Sequence, residues 1–382
     1  MNNLLVEKVR SNFINKFESK PILVFSPGRI NLIGEHIDYN DGFVLPAAID
    51  KGIVVALNKS KGSYCSVFAI DLDESFKFSL ENIQPKKNGG WKNYVLGVIA
   101  EIQKKGKHLT NFNLVFSGDI PQGAGLSSSA ALENSIVFGL NELFQLGLTK
   151  KEMIFISQSA EHNYVGVKCG IMDQYASMFG RENYLMLLDC RTIEAKSIYI
   201  DFKDYELVLI NTNVKHSLSD SAYNDRRSVC EKMAELINVK ALRDASEEDL
   251  LKVKNQVSKE DYYKALFVIK EIKRTQNAAR ALTNNDILKL GELIYDSHHG
   301  LQHQYKVSCE ELDFLVDRAK ENKSVVGARM MGGGFGGCTI NVVEKEVIEE
   351  FIAEISNQYK EKFNKACSVY KVTLSNGTHL VK

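Results

Sequence analysis

The sequence carries no excess of charge of either sign, with 48 acidic and 48 basic side chains in balance among 382 residues. That leaves no basic surplus to follow a nucleic-acid backbone or an anionic membrane, so a small, locally recognised ligand is the expected partner. Long apolar runs are also missing, and the stretches present fall far short of the roughly 20 residues needed to span a bilayer. The opening MNNLLVEKVRSNFINKF alternates charged and apolar residues at helical spacing. It has no apolar core followed by a small-residue cleavage site, so it reads as a first helix and not a signal peptide. Paired cysteines are absent too. The seven cysteines are odd in number and scattered, with no C-x-x-C and no histidine at zinc-ligand spacing, a pattern that predicts reduced thiols in the cytoplasm. There is no internal repeat or low-complexity tract to mark a domain edge.

The familiar nucleotide signatures are lacking as well. A Walker loop needs G-x-x-x-x-G-K-[ST], and a protein kinase needs H-R-D and D-F-G. Neither set occurs, and GAGLSSS offers a serine where a Rossmann fingerprint requires its third glycine.

What is present is a chain long enough for two domains. Its first half is rich in β-branched and aromatic runs: ILVFS (22–26), FVLPAAI (43–49), IVVALN (53–58), YCSVFAI (64–70) and FNLVFSG (112–118). Helices are predicted at 92–105, 128–145 and 150–165, the last with Met153, Ile156, Ala160 and Tyr164 on one stripe. A strand pair, YLMLLD and KSIYI, leads to a second half that begins near 195 and is mostly helical from 223 to 321. It closes with VVGARMMGGG, CTINVV, a charged helix at 345–365 and a last strand at 368–374. The elements alternate without a regular βαβ period, which predicts two α+β domains, 1–195 and 196–382, with a site in the cleft between them.

Four segments carry candidate chemistry. In PQGAGLSSSAALENSIVFGL, Gly123 and Gly125 let the main chain approach a ligand, and the serines stand at the N-terminus of a helix whose apolar stripe is Leu132, Ile136, Leu140 and Leu143. Free amides there suit polyphosphate; a glycine turn with serine caps is the plainer reading. SPGRINLIGEHIDYNDG concentrates Arg29, Glu35, His36 and Asp38 among apolar residues. These groups can surround a polyol while the arginine faces an anion, or they can be solvated charges on a strand and turn. AEHNYVGVKCGIMDQYASMFG places Glu161 and Asp173 on different elements. Such carboxylates can divide magnesium binding and activation of an alcohol between them, or can be surface acids. MMGGGFGGCTINVV sets five glycines between two strands, for backbone packing against another loop or as a flexible tip.

Together these segments resemble the galactokinase family, within the kinase superfamily that also holds homoserine, mevalonate and phosphomevalonate kinases. GRINLIGEHIDYN is similar to the galactokinase signature, GAGLSSSAALE to the superfamily's phosphate loop, and GGGFGGC to its C-terminal glycine motif. CGIMDQ and NVKHSLSDSAYNDRR, which contains His216, point to the galactokinase branch. The resemblance implies a first domain like the second domain of ribosomal protein S5, a ferredoxin-like second domain, and phosphorylation of the anomeric hydroxyl of galactose by ATP with Mg2+. It implies Asp173 as the catalytic carboxylate with Arg29 beside it, and sugar contacts from Glu35, His36, Ile37, Asp38, Gly170 and Tyr223. It also implies a phosphate cradle of Gly123, Ala124, Gly125, Leu126, Ser127, Ser128 and Ser129, with Ser129 and Glu161 holding the metal. Ile37 stands where the signature usually has threonine, so its side chain is expected to point away from the sugar. Trp91 and Tyr94 either wall the adenine or pack as core. Two other readings stay open: a kinase for N-acetylgalactosamine or another sugar, and a galactose and ATP sensor without turnover. Such sensors are defective around the serine-alanine part of the loop, and Ser127 to Ala131 is intact here.

Overall fold

A computed structural model describes residues 2–121, 123–201, 204–215 and 219–381; His216 lies outside them. Helix α1 (Asn3–Phe17) leads into β1 (Ile22–Asn31), β2 (Phe43–Val44), β3 (Pro46–Lys59), β4 (Cys65–Ala69) and β5 (Glu74–Phe78). Then come α2 (Trp91–Lys104), β6 (Phe112–Gly118), α3 (Ser128–Phe144), α4 (Lys150–Ala160), α5 (Met172–Phe179), β7 (Tyr184–Asp189), β8 (Glu194–Tyr199) and β9 (Tyr205–Lys215). The helical region holds α6 (Ser219–Ile237), α7 (Glu247–Lys252), α8 (Lys259–Thr283), α9 (Ile287–Gly300) and α10 (Glu310–Glu321). β10 (Val325–Met330), β11 (Gly336–Glu344), α11 (Ile348–Phe363), β12 (Ser368–Lys371) and β13 (His379–Leu380) complete the chain.

Strand alternation divides the core. In the six-stranded sheet β13-β1-β3-β6-β4-β5, Leu23, Phe25, Val54 and Ala56 face α1, packing on its Leu5, Val6, Val9 and Phe13. Their neighbours Val24, Ile53, Val55 and Leu57 point the other way, into the cluster that α2, α3 and α4 fill. The period of two thus covers both faces of one sheet. The four-stranded antiparallel sheet runs β10-β11-β9-β12, with helices between its first and second strands and between its third and fourth, which is the ferredoxin-like arrangement. On β9, Val208 and Ile210 pack with Phe351 and Ile355 of α11. Leu207 and Leu209 face the cluster that contains Ile30, Leu32 and Leu45 from the signature region. That second cluster joins the two halves, and the mixed α+β architecture expected from the sequence is present.

Several elements differ from the sequence reading. The runs at 43–49 and 53–58 are not two strands separated by a turn. β3 passes through Gly52, where a Cβ would strike the Phe25 ring and the Ser26 carbonyl, so the glycine serves close approach and not reversal. The helix expected at 150–165 stops at Ala160 and widens into a π-helical turn over Glu161–Val165. β5 and α5 were not anticipated. The two-residue β13 brings the C-terminus back to pair with β1, while the expected division at 195 falls within β8. Among the described residues the seven cysteines are unpaired, and no helix is long and apolar enough to cross a membrane.

Candidate active site

A cavity of about 280 Å³ opens between the two halves, lined on one side by Arg29, Glu35, His36, Asp38, Ser127, Ser129, Glu161 and Asp173, and on the other by Tyr223 and Gly332 to Gly334. Arg29 comes from the end of β1, just past an irregularity in its pairing with β3, and Asp173 from the first turn of α5. They meet in a bidentate pair: Nε donates to Oδ1 at 2.7 Å and Nη2 to Oδ2 at 2.9 Å. Nη1 donates to the Gly125 carbonyl at 2.5 Å, and Ser127 Oγ donates to Asp173 Oδ2, also at 2.5 Å. Burial acts to lower the Arg29 pKa, but Asp173, together with Glu35 and Asp38, more than offsets it and the net direction is up. The arginine is a fixed positive charge.

The phosphate-type loop has the conformation its glycines permit, with φ of 67° at Gly123 and 69° at Gly125. Ser127, also left-handed at φ 58°, precedes α3. Ala124 and Leu126 turn their side chains into the apolar cluster beside Met331 and Cys338, while Gly125, Ser127 and Ser129 line the cavity and Ser128 does not; the Ser127 hydroxyl is the one already given to Asp173. The five-glycine turn packs against this loop: a Cβ on Gly332 would lie 3.3 Å from the Gly125 carbonyl. Packing, and not a free hairpin tip, accounts for the motif.

Glu161 begins the π turn, buried, with its Oε2 accepting from Gln174 Nε2 at 2.9 Å and from the Cys169 thiol at 3.6 Å. Burial raises its pKa to about 7, helped by Asp173 and opposed by hydrogen bonds from Cys169, Ser129 and Gln174. Asp38, whose Oδ1 accepts from the Tyr39 amide at 3.0 Å, is likewise pushed up to about 7, first by burial and then by Asp173 and Glu35. Gly170 sits against it, and a Cβ there would collide with the Asp38 carboxylate.

The remaining expected residues are placed less simply. Glu35 is already engaged three times, accepting from Arg329 Nη2 at 3.1 Å, the Gly332 amide at 2.8 Å and Asn31 Nδ2 at 2.9 Å. Both ring nitrogens of His36 are occupied, Nδ1 by the Tyr39 hydroxyl and Nε2 by the Gly333 carbonyl. Ile37 does not line the cavity; its side chain is fully buried in the core, against Gly42. Trp91 packs on Phe116 and Phe76 and donates from Nε1 to Glu74, which makes it part of the sheet's edge packing.

Three participants were not singled out from the sequence. Arg329, fully buried, donates to the carbonyls of Leu32, Asn31 and Met330 as well as to Glu35; a lone charge inside the apolar run VVGARMM was the available signal. Gln174 bridges Glu161 and, at 3.5 Å, Glu133. Glu133 is wholly buried, its Oε1 has no hydrogen-bond partner among the described residues, and burial raises its pKa well above the usual range. It directly follows Leu132 of the apolar stripe, where an acid is out of place.

A cavity that sets an arginine-held carboxylate beside a glycine-serine loop and a helix N-terminus defines a small-molecule kinase of the GHMP type. Residues 93–181 match the GHMP kinases N terminal domain and 278–361 the GHMP kinases C terminal, and residues 11–59 match the galactokinase galactose-binding signature. A galactokinase of Thermosipho africanus is 40% identical over 94% of this chain and 99% of its own length. One from Clostridium beijerinckii is 39% identical over 98% and 99%. The crystal structure of Lactococcus lactis galactokinase complexed with galactose superposes with a TM-score of 0.94 at 32% identity, covering 98% of this chain and 100% of that one. The Methanococcus jannaschii mevalonate kinase shares the fold, at a TM-score of 0.67 and 19% identity over 94% and 99%. The chain belongs to the galactokinase family.

Proposed function

We propose that the protein transfers the γ-phosphoryl group of ATP to the anomeric hydroxyl of galactose, giving galactose 1-phosphate. The observation that carries this reading is the Arg29–Asp173 pair, set between the sugar signature and an intact phosphate loop. A carboxylate has about four lone-pair sites. Arg29 and Ser127 use three of those on Asp173, which leaves one to accept the sugar hydroxyl, orient it and take its proton. Charge spreads over the phosphoryl oxygens in the transition state, and Arg29 together with the amides of the 123–129 loop stands ready to meet it. Asp38 and the main chain at Gly170 would receive sugar hydroxyls, with Tyr223 closing the cavity from the second half.

Mg2+ fits Ser129 and Glu161. Among the described residues no cluster of three or more acidic, histidine or cysteine side chains could hold a metal, so these residues build no closed cage. An ion that keeps waters and substrate phosphates needs only one carboxylate and a hydroxyl. Glu161 is buried with no ion-pair partner among the described residues, and Glu133 behind it keeps an orphaned oxygen. A cation would favour the ionised form of Glu161 against its burial. Bound there, Mg2+ would neutralise part of the phosphate charge. The unpaired thiols fit a cytoplasmic location.

A coupled assay of ADP release tests the reading. Release is expected with galactose and not with glucose or mevalonate. Equal release with N-acetylgalactosamine would move the substrate to the sister sugar, and binding of galactose and ATP without release would make the protein a sensor.

A further inference from the structure

Two consecutive residues of the sugar signature grip two consecutive residues of the glycine turn. Glu35 Oε1 accepts the Gly332 amide, and His36 Nε2 lies 3.1 Å from the Gly333 carbonyl oxygen. A carbonyl only accepts, so Nε2 carries the proton and Nδ1 is left as an acceptor. The Tyr39 hydroxyl, 2.8 Å away, donates to it. With its own proton directed at His36, the Tyr39 oxygen accepts from Tyr305, also at 2.8 Å, and the Tyr305 oxygen meets the Cys230 thiol at 3.3 Å. One carbonyl therefore orders the protons along four side chains. Burial lowers the His36 pKa to about 4, with Glu35 and the Gly333 carbonyl opposing, so the ring is neutral at physiological pH and has one donor and one acceptor. Its backbone is left-handed, at φ 62°, a conformation a non-glycine residue keeps only where its surroundings hold it.

On its other side the same turn presses on the phosphate loop. A Cβ on Gly125 would lie 3.2 Å from the Met331 carbonyl, and one on Gly337 would lie 3.4 Å from the Gly123 carbonyl. Gly334 has no room for a side chain because the Val307 carbonyl fills the space. The turn is a wedge with the sugar signature on one flank and the phosphate loop on the other.

We infer that His36 is a positioning residue that, with Glu35, holds the glycine turn against the phosphate loop, and that the Tyr39–Tyr305 hydroxyl chain behind it couples the sugar and nucleotide sites. This rests on the galactose and ATP reading. Tyr39 and Tyr305 do not line the cavity, so their effect must pass through His36. Coupling between two binding sites is reciprocal, so each ligand tightens the other by one common factor.

The test combines titrations of galactose and a non-hydrolysable ATP analogue, each alone and with the other saturating, with imidazole nitrogen NMR. It uses the wild type, Tyr39→Phe and Tyr305→Phe. Wild type is expected to show the Nε2–H tautomer and a coupling factor of roughly fivefold or more, the lower end of ordinary allosteric coupling. Tyr39→Phe should bring the factor close to one, with the His36 nitrogen signals shifted and each ligand alone binding nearly as before. Tyr305→Phe should lower it by a smaller amount, and it decides the matter if Tyr39→Phe does not fold. An Nδ1–H tautomer, no coupling in the wild type, or the same coupling in both variants as in the wild type would overturn the inference. Failure of the wild type to bind galactose or the analogue at all would instead overturn the functional reading.

Discussion

Asp173 and Glu161 are two buried or half-buried acids on the same cavity wall, twelve positions apart in the sequence, and the protein treats them in opposite ways. Asp173 receives a full guanidinium fork and a serine hydroxyl. Glu161 receives an amide, a thiol and a hydroxyl, all neutral, and its pKa rises to about 7 as burial dictates. Asp173 already has its countercharge and is fixed in place. Glu161 lacks one, which is the state expected of a group that acquires a cation with the substrate. On the proposed function, one acid serves the sugar hydroxyl and the other the metal side of the nucleotide.

The largest expected effect comes from removing the charge on the first acid. Asp173→Asn should lose at least the roughly 10²- to 10⁴-fold of general base catalysis, with galactose still bound within about tenfold; near-normal turnover would remove Asp173 from the chemistry. Arg29→Ala should also cut turnover strongly. The double variant should lose less than the two losses combined, because the pair acts as a unit. Next come Ser129→Ala and Glu161→Gln, which should raise the magnesium concentration needed for half-maximal rate while galactose affinity in calorimetry stays nearly constant. At pH 8, where Asp38 is ionised despite its raised pKa, Asp38→Ala should show a smaller and opposite separation, weakening galactose binding by roughly 1.5–3 kcal/mol, the range of a hydrogen bond to a charged group, with ATP binding intact.

The smallest effect is on stability. Asp38 has its folded pKa raised to about 7 by burial, so between the ordinary carboxylate range and about pH 7 the folded protein holds a proton the unfolded chain has lost. Its contribution to stability therefore falls as pH rises through that window and levels off above it. Asp38→Asn cannot titrate, so its unliganded melting temperature relative to wild type should climb from pH 5 to 7 and then flatten. His36, with a lowered pKa, gives the opposite slope below about pH 6.5 in both proteins and cancels in the difference.

Much of this site was legible because it is built from residues with unusual local demands. Positive φ at Gly123 and Gly125, serines at a helix start, and charged groups crowded into GRINLIGEHIDYN all announce themselves over a few positions. What the sequence concealed depends on partners far along the chain. Nothing local says that Glu35 is held by Arg329, 294 residues away, or that both nitrogens of His36 are taken by Tyr39 and by Gly333. Gln174 and Glu133 lay inside segments already of interest, yet their role is set by how α3, α4 and α5 pack. β13, two residues long, is too short for any periodicity to reveal, and the gap between the runs at 49 and 53 hides a continuous strand, because the close approach that Gly52 serves leaves no local sign.

The contrast between the two acids is tested most directly by measuring turnover of Glu161→Gln and Asp173→Asn side by side across a wide range of magnesium at saturating ATP and galactose. Excess magnesium should restore Glu161→Gln toward the wild-type rate and leave Asp173→Asn impaired at every concentration. Restoration of both variants, or of Asp173→Asn alone, would contradict the assignment of one acid to the sugar and the other to the metal.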